Sequence, residues 1–143
     1  MTADVPTYFV DCGVFLRYFL EESPEEAAKI DRLFQLAARG EIRLETDAII
    51  LTEIVWSLEF LYQQSRSRIG KVVEAICDLP NLVLPQEGAI REAARVFGKG
   101  GVDFLDAYLV ARLRRQGVAT IVTCDPQEYA RFSQVAVVLP DNV

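Results

Sequence analysis

The chain contains no histidine. That absence removes the Ser-His-Asp and Cys-His nucleophile systems, paired-histidine nucleases and every zinc site with an imidazole ligand. Any general acid or base must be Asp, Glu, Lys, Tyr or Cys, or a metal-bound water. Cysteine is scarce as well. Cys12, Cys77 and Cys124 are odd in number and share no CxxC spacing, so neither a zinc knuckle nor a disulfide framework fits. Long apolar runs are missing. No uncharged stretch exceeds nine residues, against the roughly 20 that a spanning helix needs. The opening residues, MTADVPTYFVDC, have no basic start and no long apolar segment, so they do not read as a signal peptide. Together with reduced cysteines, this makes the cytoplasm the expected location.

Lysine is rare: 12 of the 15 basic residues are Arg, the better side chain for bidentate phosphate and carboxylate contacts. Acids outnumber bases and the net charge is −6. Such a chain is not a general trap for nucleic acid, because nonspecific affinity comes from neutralising phosphates. It can act on phosphates where metal ions reverse the local sign. What is present is ordinary for one folded domain: 143 residues, 51% hydrophobic and 25% charged. No repeat or linker divides residues 1–143, so a single domain is expected.

Short apolar runs alternate with helical stretches. Tyr8-Phe9-Val10 reads as a buried strand ending at Asp11, and Val14 to Leu20 as a helix. Ser23-Pro24-Glu25-Glu26 is a helix start, and Gly40 stops that helix. Ile42-Arg43-Leu44 is a short strand. Asp47 caps a long helix to about Gln64, and another runs from Ser67 to Asp78. Leu82 to Leu84 is a strand and Ala89 to Phe97 a helix. Asp103 opens a helix to Gln116, and Thr120 to Val122 and Val135 to Leu139 complete the strands. This order predicts an α/β fold with a central parallel sheet of about five strands and helices on both faces. Ligands bind such folds outside the carboxyl ends of the strands.

Four acids stand out. Asp11 and Asp125 follow two strand ends and point toward one crevice. Glu53 falls on the helical wheel between Ile50 and Phe60, inside an apolar arc. Asp106 falls between Val110 and Leu113, again inside the apolar arc. A turn role for Asp125 and a buried ion pair of Glu53 with Arg17 are the ordinary alternatives. For Asp103, at the start of its helix, a capping role is preferred. One buried carboxylate costs several kcal/mol unless paired, and four converging ones need a cation. Oxygen ligands without His or paired Cys select magnesium or manganese. Such sites serve phosphoryl and phosphodiester chemistry. Cys12, Cys124 and Trp56 read as packed residues rather than functional ones.

The segments YFVDCGVFLRYFL, LTEIVWSL, VDFLDAYLVARLRRQG and IVTCDPQEYARF together resemble a PIN-domain ribonuclease, of the VapC type found in bacterial toxin–antitoxin pairs. The resemblance implies an acidic pocket holding Mg2+ or Mn2+ and hydrolysis of RNA. Its catalytic and metal-binding acids would be Asp11, Glu53, Asp106 and Asp125, with Asp103 and Thr123 in support. Gly13 stands where that family usually carries Asn, Ser or Thr. A PIN-like RNA- or protein-binding module without strong catalysis therefore remains the alternative. Arg17, Arg112, Arg115 and the Arg66–Arg68–Lys71 cluster are candidate substrate contacts. The resemblance also implies a cognate antitoxin that inserts a basic side chain into the pocket. A homodimer is expected through apolar surface on the early helices: Phe15, Tyr18, Phe19, Leu33, Phe34 and Leu36. No contact with a membrane is expected.

Overall fold

In a computed structural model that describes residues 4–143, five strands and six α-helices follow one another. Residues 1–3, the start of the segment read above for a signal peptide, lie outside the described residues. Strand β1 (Thr7–Phe9) leads into α1 (Cys12–Leu20) and α2 (Pro24–Ala38). Then come β2 (Arg43–Glu45), α3 (Ala48–Trp56), α4 (Arg66–Cys77), β3 (Leu82–Val83) and α5 (Glu87–Gly98). Helix α6 (Phe104–Arg115), β4 (Thr120–Val122) and β5 (Ala136–Val138) close the chain. Local chemistry sets several boundaries. The Ser23 hydroxyl accepts from the Glu26 N–H with Pro24 in the first turn, and the Asp47 carboxylate accepts from the Ile50 N–H. Gly117, at φ +78°, ends the run after α6.

All strand pairs are parallel, as expected for alternating strands and helices. They form two sheets rather than one. The first has the order β1-β2-β3, with Tyr8 opposite Leu44 and Leu44 opposite Leu82. The second joins β4 to β5, with Ile121 opposite Val137. The expected five strands are there, although Tyr8 and Phe9 of the first, expected to be buried, are exposed; strands of two or three residues offer few ladder bonds, and no described pairing joins β1 to β4. Helices supply most of the core. Phe15, Leu51, Ile54, Ile69, Val73, Ile76, Ile90 and Phe97 are buried. A Cβ on Gly70 would stand 3.0 Å from the Ala94 carbonyl oxygen, so the bare glycine lets α4 and α5 approach closely.

Two expectations about helices change. The long helix after Asp47 is α3 followed by a π-helical turn, Ser57–Leu61, in which the Tyr62 N–H donates to the Ser57 carbonyl at 3.1 Å. The dimer surface expected on the early helices is not free. Phe15 and Phe34 are buried, and Tyr18, Phe19 and Leu33 pack against the core. The Tyr18 and Phe34 rings meet edge-on at 4.9 Å. Helices α1 and α2 use that apolar surface on each other. Among the described residues no helix is long and apolar enough to cross a membrane.

Candidate active site

The carboxyl ends of the first sheet are tied together just before Asp11. The Val10 N–H donates to the Glu45 carbonyl at 2.7 Å, and the Thr46 hydroxyl donates to the Val10 carbonyl at 3.1 Å. The Thr46 N–H in turn donates to the Val83 carbonyl at 3.1 Å. Asp11 therefore leaves a fixed strand end. It caps α1, its carboxylate accepting the Cys12 N–H at 2.8 Å. The other side of Cys12 faces α3. Burial, then Glu53, then Asp11 push the Cys12 thiol up, and the Ser57 hydroxyl works against them. Cys12, Glu53 and Ser57 share a cleft of about 350 Å³ with Thr52 and Trp56.

A second acid group gathers at the start of α6. Burial, then Asp103, then Glu128 push the Asp106 carboxyl above the usual carboxylate range. The Tyr129 hydroxyl is raised by burial, Asp106 and Glu128, which places it in the same neighbourhood. Asp103 holds the N-cap position but makes no side-chain capping bond, so the capping role expected for it is not observed. It lines a cleft of about 160 Å³ with Thr52, Trp56, Glu59 and Leu105. Thr52 and Trp56 line both clefts, so the two acid groups flank one edge of α3.

Asp125 is exposed and heads a short 3-10 turn, Pro126–Tyr129. Its N–H donates to the Thr123 hydroxyl at 3.0 Å, so Thr123 shapes this turn. The structure thus brings Asp11 near Glu53 through Cys12, and Asp106 near Asp103 and Glu128. It does not gather the four expected acids into one cluster. Among the described residues, no three acids or cysteines stand close enough to hold one metal ion. The donor chemistry, all carboxylate oxygen, suits magnesium or manganese. The arrangement is two acid groups rather than one cage.

Other expectations are corrected by position. Glu53 lies between buried Ile50 and exposed Phe60 and is itself exposed, so it is not in a buried ion pair. Arg17 pairs with Glu26 at 3.3 Å and folds back to donate to the Gly13 carbonyl. Arg66 sits 4.3 Å over the Phe97 ring, near Glu59 and bonded to the Val102 carbonyl, so it holds structure rather than reaching outward. Cys124 is exposed rather than packed, and so is Trp56. Reading the sequence missed Glu128 and Tyr129. The signal was available: Glu128 follows Asp125 by three residues, one turn of a short helix.

These features define an α/β domain of parallel strands with acids at the strand ends and on the adjoining helices. Residues 8–137 match the PIN domain family, and the chain belongs to that family of nucleases. A VapC ribonuclease of Aquifex aeolicus (strain VF5) is 28% identical over 106 residues, which span 73% of this chain and 78% of that protein.

Proposed function

We propose that the protein is a single-domain, metal-dependent endoribonuclease acting as the toxin of a toxin–antitoxin pair. The observation that carries the reading is that, in a PIN-domain chain, Asp11 and Asp106 each stand beside further acids. The name of the Aquifex relative supports RNA as the substrate. Asp11, Glu53, Asp106 and Asp125 would serve divalent ions as separate groups, one or two carboxylates to an ion with water completing its shell, and an ion so held would supply Lewis-acid stabilisation of the phosphate and a nucleophilic water. The chain's own part is positional. Thr46 and Glu45 fix the backbone before Asp11, Thr123 fixes the turn at Asp125, and the raised Asp106 carboxyl sits among like charges, where a cation is most favourable. The partner protein would offer a basic segment to the same acids.

The test is cleavage of RNA by purified protein with magnesium, with excess chelator, and with Asp11→Asn. Chelator abolishes cleavage and Asp11→Asn lowers the rate at least about a hundredfold, near 2.7 kcal/mol in the barrier. Undiminished cleavage in chelator overturns the reading. Retention of RNA without cleavage in magnesium or manganese identifies a binding module instead.

A further inference from the structure

Two stretches of the chain carry bases and no acid. Residues 64–73 and 93–102 hold five bases between them, in a chain whose acids outnumber its bases by 21 to 15. The fold lays one stretch on the other. A Cβ on Gly70 would stand 3.0 Å from the Ala94 carbonyl oxygen and 3.7 Å from the Gly98 Cα. Arg91 of α5 reaches Asp78, just past α4, at 2.7 Å. The two helices therefore cross antiparallel, with the start of α4 beside the end of α5. Arg68 and Lys71 belong to α4, Arg95 to α5 and Lys99 to the cap that follows it, and all four are exposed. Arg131 joins them from the other end of the chain, its guanidinium lying over Gly101, where any Cβ would collide with it. Among the described residues none of these five bases belongs to an ion pair. We propose that Arg68, Lys71, Arg95, Lys99 and Arg131 form a track for the RNA backbone, leading along the α4–α5 crossing to the second acid group. The inference rests on RNA as the substrate and adds where it lies.

The surroundings favour phosphates over another occupant. Helix α4 begins with arginines and has no acid in its first turn. A helix N-terminus favours anions and disfavours cations, so bases there work against the fold until an anion arrives. Arg95 and Lys99 suit the end of α5 and add no such strain, but they extend the same field. Neither stretch contributes a large exposed apolar side chain. A protein partner needs apolar anchors at the centre of its contact, whereas a phosphate backbone needs only charge. The track also ends at the chemistry. Gly101 precedes Asp103 by two residues and Arg131 follows Glu128 by three, and Asp103 and Glu128 are the acids beside Asp106. Arg131 is carried on an anchored turn, because the next residue, Phe132, is buried and its N–H donates to the Tyr129 carbonyl at 3.0 Å.

The experiment follows binding of a fluorescent single-stranded RNA of about ten nucleotides by anisotropy, in magnesium and across a range of salt. The parent protein is Asp11→Asn, so that the probe stays intact. Adding Arg95→Gln with Lys99→Gln should weaken binding at least about tenfold at low salt. It should also flatten the slope of log affinity against log salt by about 1.4, two contacts at about 0.7 each. Arg32→Gln with Arg43→Gln removes the same charge elsewhere and should change neither quantity. All four side chains are exposed, so melting curves of both variants should match the parent. Equal losses in the two variants overturn the track, because net charge alone then acts. A parent that binds RNA and an Arg95–Lys99 variant that binds it as tightly also overturn the track, and leave the ribonuclease reading standing. Displacement of the RNA by polyglutamate at equal charge overturns it in favour of an acidic protein partner. A parent that binds no RNA overturns both readings. The readout is binding, so it stands apart from whether the chain cuts RNA.

Discussion

Thr46 is the most informative single perturbation near Asp11. Its side chain is 2% exposed, and its hydroxyl donates to the Val10 carbonyl at 3.1 Å. Val10 is itself buried and immediately precedes Asp11. Thr46→Val keeps the branched shape and removes only the donor. The lost bond costs about 1 kcal/mol, and stranding a buried carbonyl raises the total to about 1–2 kcal/mol. For a chain of this size that lowers Tm by about 3–7 °C. Thr46→Ser keeps the donor and loses a methyl, so it separates the bond from packing. The assay is urea and thermal unfolding of all three proteins, with and without magnesium. Thr46→Val should lose stability with an unchanged urea slope, and its magnesium-induced rise in Tm should shrink, since Asp11 sits on a looser strand end. Thr46→Ser should keep that magnesium response. A Thr46→Val protein within about 0.3 kcal/mol of wild type refutes the reasoning, because an unpaired buried carbonyl cannot be that cheap.

Two further outcomes follow from charge and exposure. The Asp106 carboxyl is raised in the folded state, so its contribution is fully present below the unfolded carboxylate pKa and is lost as pH rises through the folded value. Asp106→Asn should therefore match wild type in acid and exceed it at neutral pH, read from chelator-containing melts across pH. Among the cysteines, Cys124 is exposed, burial and neighbouring acids raise the Cys12 thiol, and Cys77 is pushed up to about 11. Iodoacetamide at neutral pH should modify Cys124 first, as mapped by peptide mass, and labelling of Cys12 at an equal rate would contradict the burial argument.

The sequence made the helix starts legible because caps act locally. Ser23 with Pro24, and Asp47 before its helix, satisfy specific N–H groups within three residues. Asp11 and Asp125 were legible as strand-end acids for a similar reason: a short apolar run stops at each. The helical wheel was less complete. It correctly grouped Glu53 with apolar residues, yet it cannot say which arc of a helix the fold covers. For α3 both arcs are apolar, and burial of the Ile50–Leu51–Ile54–Val55 side left Glu53 outside. Strand pairing was not legible, because three-residue strands carry too little pattern to specify neighbours. The π turn was also invisible, since its i to i+5 bond leaves no composition mark.

The position of the acids also decides where attraction for a phosphate must arise. The net charge of −6 repels RNA at long range. Among the described residues, six of the 15 bases are already held in ion pairs, four of them in contacts that also shape the fold. Arg17 holds Glu26, Arg91 holds Asp78 and Glu87, and Arg114 holds Glu92. Arg66 lies between Glu59 and the Phe97 ring. Releasing any of them leaves a carboxylate behind, so the gain in attraction is largely cancelled. The acids beside α3 differ, because none of Asp11, Glu53, Asp103 and Asp106 belongs to an observed ion pair. A cation added there neutralises charge without dismantling another contact. A cation at these acids would thus add attraction for an RNA backbone beside that of the bases outside ion pairs, such as Arg68, Lys71, Arg112 and Arg115, and would couple substrate binding to the residues proposed to cut it.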